Sequence, residues 1–412
     1  MDTKKLRAYA KLIARMGVNV QPGQEVVIRT EPEQTDFLEI LIDECYRAGA
    51  GKVSVEWRFA PALRLDIKYQ SDETLGTVEP WAEQRLRERV EKLPANIYLD
   101  SDDPDGLCGV DQDKWARAQR ARFKVTKPYR DAMENKYQWC VAAVPGKMWA
   151  RKVFPGLSDG EAIERMWQEI LRCSRADGDD PIAAWRAHNA NLKRRCDWLN
   201  SLNLRRLKYR SDSTGTELSV GLIPQMRFMG GAEALGGSGA EFNANIPSEE
   251  VFTTPMRGDV DGLAVATRPL SYRGVLIEDF SVRFKDGHVS EVHAGKNEDA
   301  LRLMVSMDEG ASMLGECALV PYNSPIRESG MLFYSTLFDE NASCHLALGE
   351  GYSSCLEDAG SYTPESARAI GVNESMIHED FMIGAPDLFI TGVTADGREV
   401  PIFVNGDWAD QA

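Results

Sequence analysis

A chain of 412 residues, 43% hydrophobic and 27% charged, has the composition of a folded protein long enough for two domains. Its net charge of −16 opposes both a nucleic-acid backbone and an anionic membrane surface as partners. No apolar run approaches the ~20 residues that span a bilayer.

The N-terminal stretch "MDTKKLRAYAKLIARMG" is interrupted by charge throughout and lacks the apolar core of an export signal, so a cytoplasmic protein is expected. Within it, Leu6, Tyr9, Ala10, Ile13 and Met16 share one helical face, and Gly17 stops the helix. "EVVIR" (25–29) reads as a strand, 34–49 as a helix ending at glycine, and "KVSVEW" (52–57) as the next strand. A charged helix near 80–92 precedes the strand "NIYLD" (96–100), and a helix near 112–123 precedes "QWCVAAV" (138–144). Strands alternating with helices predict parallel βαβ units. Two more helices, about 159–174 and 181–201, read as a bridge. From about 204 short strands dominate, with turns at "TGTE" (214–217), "KDGHV" (285–289) and "ADGREV" (395–400) and one helix near 297–308. The expected architecture is an α/β N-terminal domain with a parallel sheet (1–200), followed by an α+β, β-rich domain (201–412).

Several features carry no site. The eight cysteines form no C-x-x-C pair, which suggests free thiols. Cys344 directly precedes His345, and extended neighbours point to opposite faces, so they make a poor nucleophile–base pair. "DSDDPDG" (100–106) lacks the acids of a calcium loop and reads as a polar turn. "MGGAEALGGSGAE" (229–241) lacks phosphate-loop spacing and reads as a flexible loop near a site. His288 and His293 fall on opposite faces of a hairpin strand and read as surface residues, as does His188 in a charged helix.

Four segments of the second half interrupt apolar sequence with acids and histidines: "NIPSEEVFTTP" (245–255), "GECALVPYNSP" (315–325), "LFDENASCHLALGEGY" (337–352) and "MIHEDFMIG" (376–384). Buried carboxylates are costly unless paired or metal-bound, and a pair of divalent cations explains all four segments together. Zinc or cobalt takes imidazole nitrogen and carboxylate oxygen; the same ligands admit manganese or magnesium. His378 and Asp380 are two apart, so on a strand both aim at one point. Glu340 and His345 are five apart and suit a strand-to-helix corner. On spacing alone, a half-buried histidine bonded to a carboxylate is the competing reading.

The same four motifs, with "YAKLIARMGVNVQPGQEVVI" (9–28), resemble the aminopeptidase T and aminopeptidase S family of dinuclear metallo-aminopeptidases almost end to end. The resemblance implies metal ligands at Glu250, Glu316, Glu340, His345, His378 and Asp380, with Glu316 as the bridge and Glu340 either a ligand or a partner behind one. Glu249 is the fallback should the register shift by one. Tyr352 corresponds to a tyrosine proposed to serve the reaction. The resemblance also implies a homodimer that removes the first residue of short peptides with a free N-terminus, by a water held between two cations. Two other classes stay open: an amidase or esterase on the same scaffold, and a non-catalytic metal-binding protein.

Overall fold

The computed structural model describes residues 1–235 and 238–409; part of the glycine-rich segment 229–241 and the last three residues of the second expected domain lie outside these. The chain divides into two compact units, residues 1–187 with 232–247, and residues 188–231 with the chain from 248 onward. The division falls inside the helix Pro181–Ser201, and residues 232–247 return to the first unit, so no single cut near residue 200 describes it.

The first unit is a parallel sheet among helices. Its strands β1 (Glu25–Thr30), β2 (Lys52–Trp57), β3 (Ala95–Asp100) and β4 (Trp139–Ala143) lie in the order β2-β1-β3-β4. Every pairing is parallel, which requires the crossover helices that the sequence alternation predicts. A two-residue strand, Asn245–Ile246, extends the sheet beside β4. The helix Thr35–Ala48 buries Phe37, Leu38, Leu41 and Cys45 and stops where Gly49 takes a left-handed conformation. A Ser158–Glu161 capping box starts the helix Asp159–Cys173. Tyr9, Phe37 and Trp167 pack ring to ring, with centroids 5.3–6.3 Å apart. Tyr9 spends its hydroxyl on the carbonyl of Ala143 at 3.1 Å, so the ring is buried without stranding a donor.

The second unit is built from antiparallel strands. Its large sheet contains β5 (Leu204–Ser211), β6 (Thr216–Leu222), β8 (Pro255–Val265), β9 (Leu270–Tyr272), β10 (Val275–Lys285), β11 (His288–Lys296), β15 (Phe389–Thr394) and β16 (Glu399–Val404). The three expected turns each join neighbouring strands: β5 to β6, β10 to β11 and β15 to β16. The smaller sheet has the order β7-β12-β13-β14, from Val251–Thr253, Leu314–Leu319, His345–Gly349 and His378–Met382. Its two central strands are buried at every position, so any charged group on them needs a partner. Among the described residues, no helix is long and apolar enough to cross a membrane.

All eight cysteines are free thiols, and only Cys108 is exposed. Cys344 turns from His345 to exchange hydrogen bonds with the Val320 backbone at 3.3–3.4 Å. His288 and His293 are exposed, as expected. His188 corrects its expectation: it is buried, with Nε2 2.8 Å from the carbonyl of Ser248. Charge along its helix says nothing about the one face that packs.

Candidate metal centre

The smaller sheet gathers the candidate residues through its register. Directly opposed residues of antiparallel strands share a face. Glu316 on β12 opposes Ala347 on β13, which opposes Asp380 on β14. Ala318 opposes His345, which opposes Met382, and Gly349 opposes His378. Since alternate residues also share a face, Glu316, His345, His378 and Asp380 project from the same side of three adjacent strands. Ala318, Ala347 and Gly349 are their neighbours there, and such small residues leave room for a polar cluster. Glu250 reaches the same side from the start of β7. Glu379 points the opposite way with Phe381, whose ring packs 5.9 Å from that of Phe280.

The side chains converge. His345 Nε2 lies 3.1 Å from Glu250 Oε2, 3.8 Å from Glu316 Oε1 and 3.9 Å from Asp380 Oδ1. His378 Nε2 lies 3.1 Å from Glu316 Oε2 and 3.5 Å from Asp380 Oδ1. Two donor triads result, Glu250–Glu316–His345 and Glu316–His378–Asp380, and Glu316 belongs to both. Glu250, the residue expected, meets His345.

The far sides of the rings are fixed by backbone. His378 Nδ1 donates to the carbonyl of Glu350 at 2.8 Å, and His345 Nδ1 faces the carbonyl of Ser343 at 3.3 Å. Each ring therefore turns its Nε2 into the acid cluster, as outer partners orient metal-binding histidines.

Glu340 joins neither triad. It is buried on the short 3₁₀ turn Glu340–Ala342, lies against Asp380, and receives Asn341 Nδ2 at 3.3 Å. Asn341 is fully buried, and its Oδ1 accepts the Glu249 backbone N–H at 2.6 Å. It thus ties the Glu340 corner to the Glu249–Glu250 segment. The sequence reading missed it; an amide inside "DENASCH", between two candidate ligands, was the available signal. Tyr352 is half-buried, with its hydroxyl 3.1 Å from His378 Nε2 and its ring against Phe252.

The electrostatics are those of crowded acids. Burial, then the neighbouring Glu250 and Asp380, pushes the Glu316 carboxyl up to about 7 against the pull of His378. Burial and the carboxylates of Asp380, Glu250 and Glu316 hold Glu340 well above the carboxylate range. Burial alone would lower the His345 imidazole, but Glu250 and its acidic neighbours raise it to about 9. Asp380 moves down, because His378 and His345 outweigh its burial.

These residues fit a pair of divalent cations. Asp380 Oδ1 is buried without a hydrogen-bond partner, and the donor set combines imidazole nitrogen with carboxylate oxygen. A carboxylate common to two donor triads is the arrangement that two-metal sites use.

Comparison with known proteins agrees with metal binding in general terms. The profile of the family described as thermophilic metalloprotease (M29) matches residues 2–408. The chain is 41% identical to aminopeptidase AmpS of Bacillus subtilis (strain 168), over 99% of both chains. It is 38% identical to aminopeptidase T of Thermus thermophilus, over 98% of both. Among solved structures it resembles wild-type AmpT from Thermus thermophilus, with a TM-score of 0.88 at 36% identity and 99% coverage of each chain.

Proposed function

From the premise that the chain belongs to the thermophilic metalloprotease (M29) family and is a metal-dependent aminopeptidase, we propose that it removes the first residue of short peptides with a free N-terminus at the Glu316 cluster. The single observation that carries the assignment is the position of Glu316, shared by the two donor triads. Glu250 and His345 would hold one divalent cation, His378 and Asp380 the other, and Glu316 both. Zinc or cobalt suits this donor set ahead of manganese or magnesium. When bound, such a pair anchors the substrate's amine, polarises the peptide carbonyl and acidifies water for attack.

The chain's own groups do the rest. The carbonyls of Glu350 and Ser343 keep both imidazoles oriented. Glu340 stands behind Asp380 as a carboxyl able to pass a proton, a role that Glu249 is also placed to share by its burial beside Glu250. Tyr352 is in reach to donate its hydroxyl hydrogen to the oxyanion that forms at the attacked carbon, a contact worth about 3–4 kcal/mol in other hydrolases. A homodimer acting in the cytoplasm completes the proposal.

The test is amino-acid release from a panel of short peptides, with and without chelator, against N-acetylated controls. Chelator-sensitive release from free N-termini alone supports the reading. Cleavage of the acetylated peptides would replace it with an amidase of different specificity.

A further inference from the structure

The ladder between β12 and β13 has one irregular step, and it falls beside Glu316. Leu314 opposes Leu348, yet Glu316, two residues further along β12, opposes Ala347, only one residue back along β13. Gly315 is thus the extra residue of a β-bulge. Past it the pairing is even, with Cys317 opposite Leu346 and Ala318 opposite His345.

The extra residue decides which side chain faces the donor cluster. Continued evenly from Leu314, the ladder would set Glu316 against Leu346 and Cys317 against His345. A slip of one residue turns every side chain to the other face. Cys317 would then share the face of His345, and Glu316 would point away from it. The bulge gives that place to the carboxylate.

Gly315 also lies against the backbone that orients His378. A Cβ at Gly315 would overlap the carbonyl oxygen of Glu350 and stand 2.5 Å from that of Gly349. The Glu350 carbonyl is the acceptor of His378 Nδ1 at 2.8 Å, so the missing side chain leaves it room to reach the ring. The neighbouring backbone is pinned: the Glu350 N–H donates to the Ile377 carbonyl at 2.7 Å, and Asn373 Nδ2 to that of Gly349 at 2.6 Å.

The bulge is tied in turn to the segment that carries Glu250. Thr254, fully buried just after β7, donates its hydroxyl to the Gly315 carbonyl at 3.0 Å. Gly351 makes space for that hydroxyl, since a Cβ there would stand 2.5 Å from Thr254 Oγ1.

We propose that Gly315 and Thr254 are positioning residues of the metal centre. The bulge aims Glu316 at both donor triads, and its bare backbone keeps the Glu350 carbonyl on His378. The proposal rests on the two-cation reading above and adds the device that places the shared ligand. Gly315 has no side chain to offer and Thr254 gives its hydroxyl to Gly315, so both act through Glu316 and His378. Gly315→Ala pushes the Glu350 carbonyl off Nδ1 and frees the ring to turn. Thr254→Val keeps the branched shape and removes the hydrogen bond that holds the bulge.

The test is zinc titration of the full chain against a chelator of known affinity, with melting temperatures alongside. The wild type should bind two ions. Gly315→Ala should weaken at least one of them about 10- to 100-fold, the range for groups that position ligands. Thr254→Val should act in the same sense, and Thr254→Ser, which keeps the hydroxyl, should stay near the wild type. Gly392→Ala on β15 is the control, because a Cβ there would press on the side chains of Leu204 and Ile402 in the larger sheet. It should lower the melting temperature and leave zinc affinity unchanged. Should Gly315→Ala fail to fold, the two Thr254 variants carry the test. Wild-type affinity in every folded Gly315→Ala or Thr254→Val protein, or equal weakening in Gly392→Ala, overturns the positioning role and leaves the two-cation reading standing. A wild type that holds fewer than two ions overturns both.

Discussion

Glu316 Oε2 stands 3.1 Å from His378 Nε2, in the middle of a strand buried at all six positions. A carboxylate in such a place is expensive, and its neighbours Glu250 and Asp380 make it more so. The cost is intelligible if cations occupy the space that the acids surround. Glu316→Gln keeps the shape and removes the charge. The expected outcome is loss of at least one of two bound ions per chain by elemental analysis. Activity should fall by more than about 100-fold, beyond what losing an outer partner costs. Full metal content and activity in this variant would show that the cluster's centre lies elsewhere.

Asn341 braces two segments that carry candidate ligands. Asn341→Leu leaves the Glu249 N–H buried without its acceptor, at a cost of about 1–3 kcal/mol. Metal affinity should weaken about 10- to 100-fold, as for other groups that position ligands. Asn341→Asp retains the acceptor for the Glu249 N–H, and should keep metal affinity closer to the wild type than Asn341→Leu does. Competition with a chelator of known affinity measures both.

Tyr352→Phe should retain its metal, since both donor triads are complete in imidazole and carboxylate groups without the phenol. Turnover should fall about 10²- to 10³-fold with little change in KM, the signature of a donor that acts on the transition state. Loss of metal from this variant would make the hydroxyl a support for His378 instead.

The metal-free protein should lose stability as pH rises. Burial lifts the Glu316 carboxyl from 4.5 to about 7 and the Asp339 carboxyl from 3.8 to about 6. The folded state thus favours their protonated forms, and that contribution is lost as pH climbs through these values. His345, raised from 6.5 to about 9 by Glu250 against its burial, acts in the same sense: its contribution is complete below 6.5 and gone above about 9. Melting temperatures in chelator should therefore fall from about pH 5 to pH 9. Added zinc should flatten the trend, because cations replace the protons. A rising trend in chelator would contradict the burial of these groups.

Much of the first unit was legible because its signals are local and periodic. The strand expected over 52–57 spans Lys52–Trp57, and the helix expected over 181–201, which runs from the first unit into the second, spans Pro181–Ser201. Asn245–Ile246 was not legible, since two residues have no period and their partner, β4, is about a hundred residues away. The helix expected to end near 123 runs on to Met133, through Pro128. At the site, the two-residue spacing of His378 and Asp380 correctly placed both on one strand face. The corner expected between Glu340 and His345 is a 3₁₀ turn that leads into β13. Burial of His188 and the bracing by Asn341 depend on which surfaces meet, and no spacing along the chain carries that.

The register of β12, β13 and β14 has one further consequence. Glu316, Ala347 and Asp380 stand abreast, so the gap between the flanking acids is two interstrand steps of about 4.7–4.9 Å. That gap is ruled by the hydrogen-bond ladder of the sheet and not by the conformation of any loop. A centre gauged in this way does not loosen by degrees on warming. It holds its dimensions until the ladder itself parts, so heat inactivation should coincide with cooperative melting of the second unit.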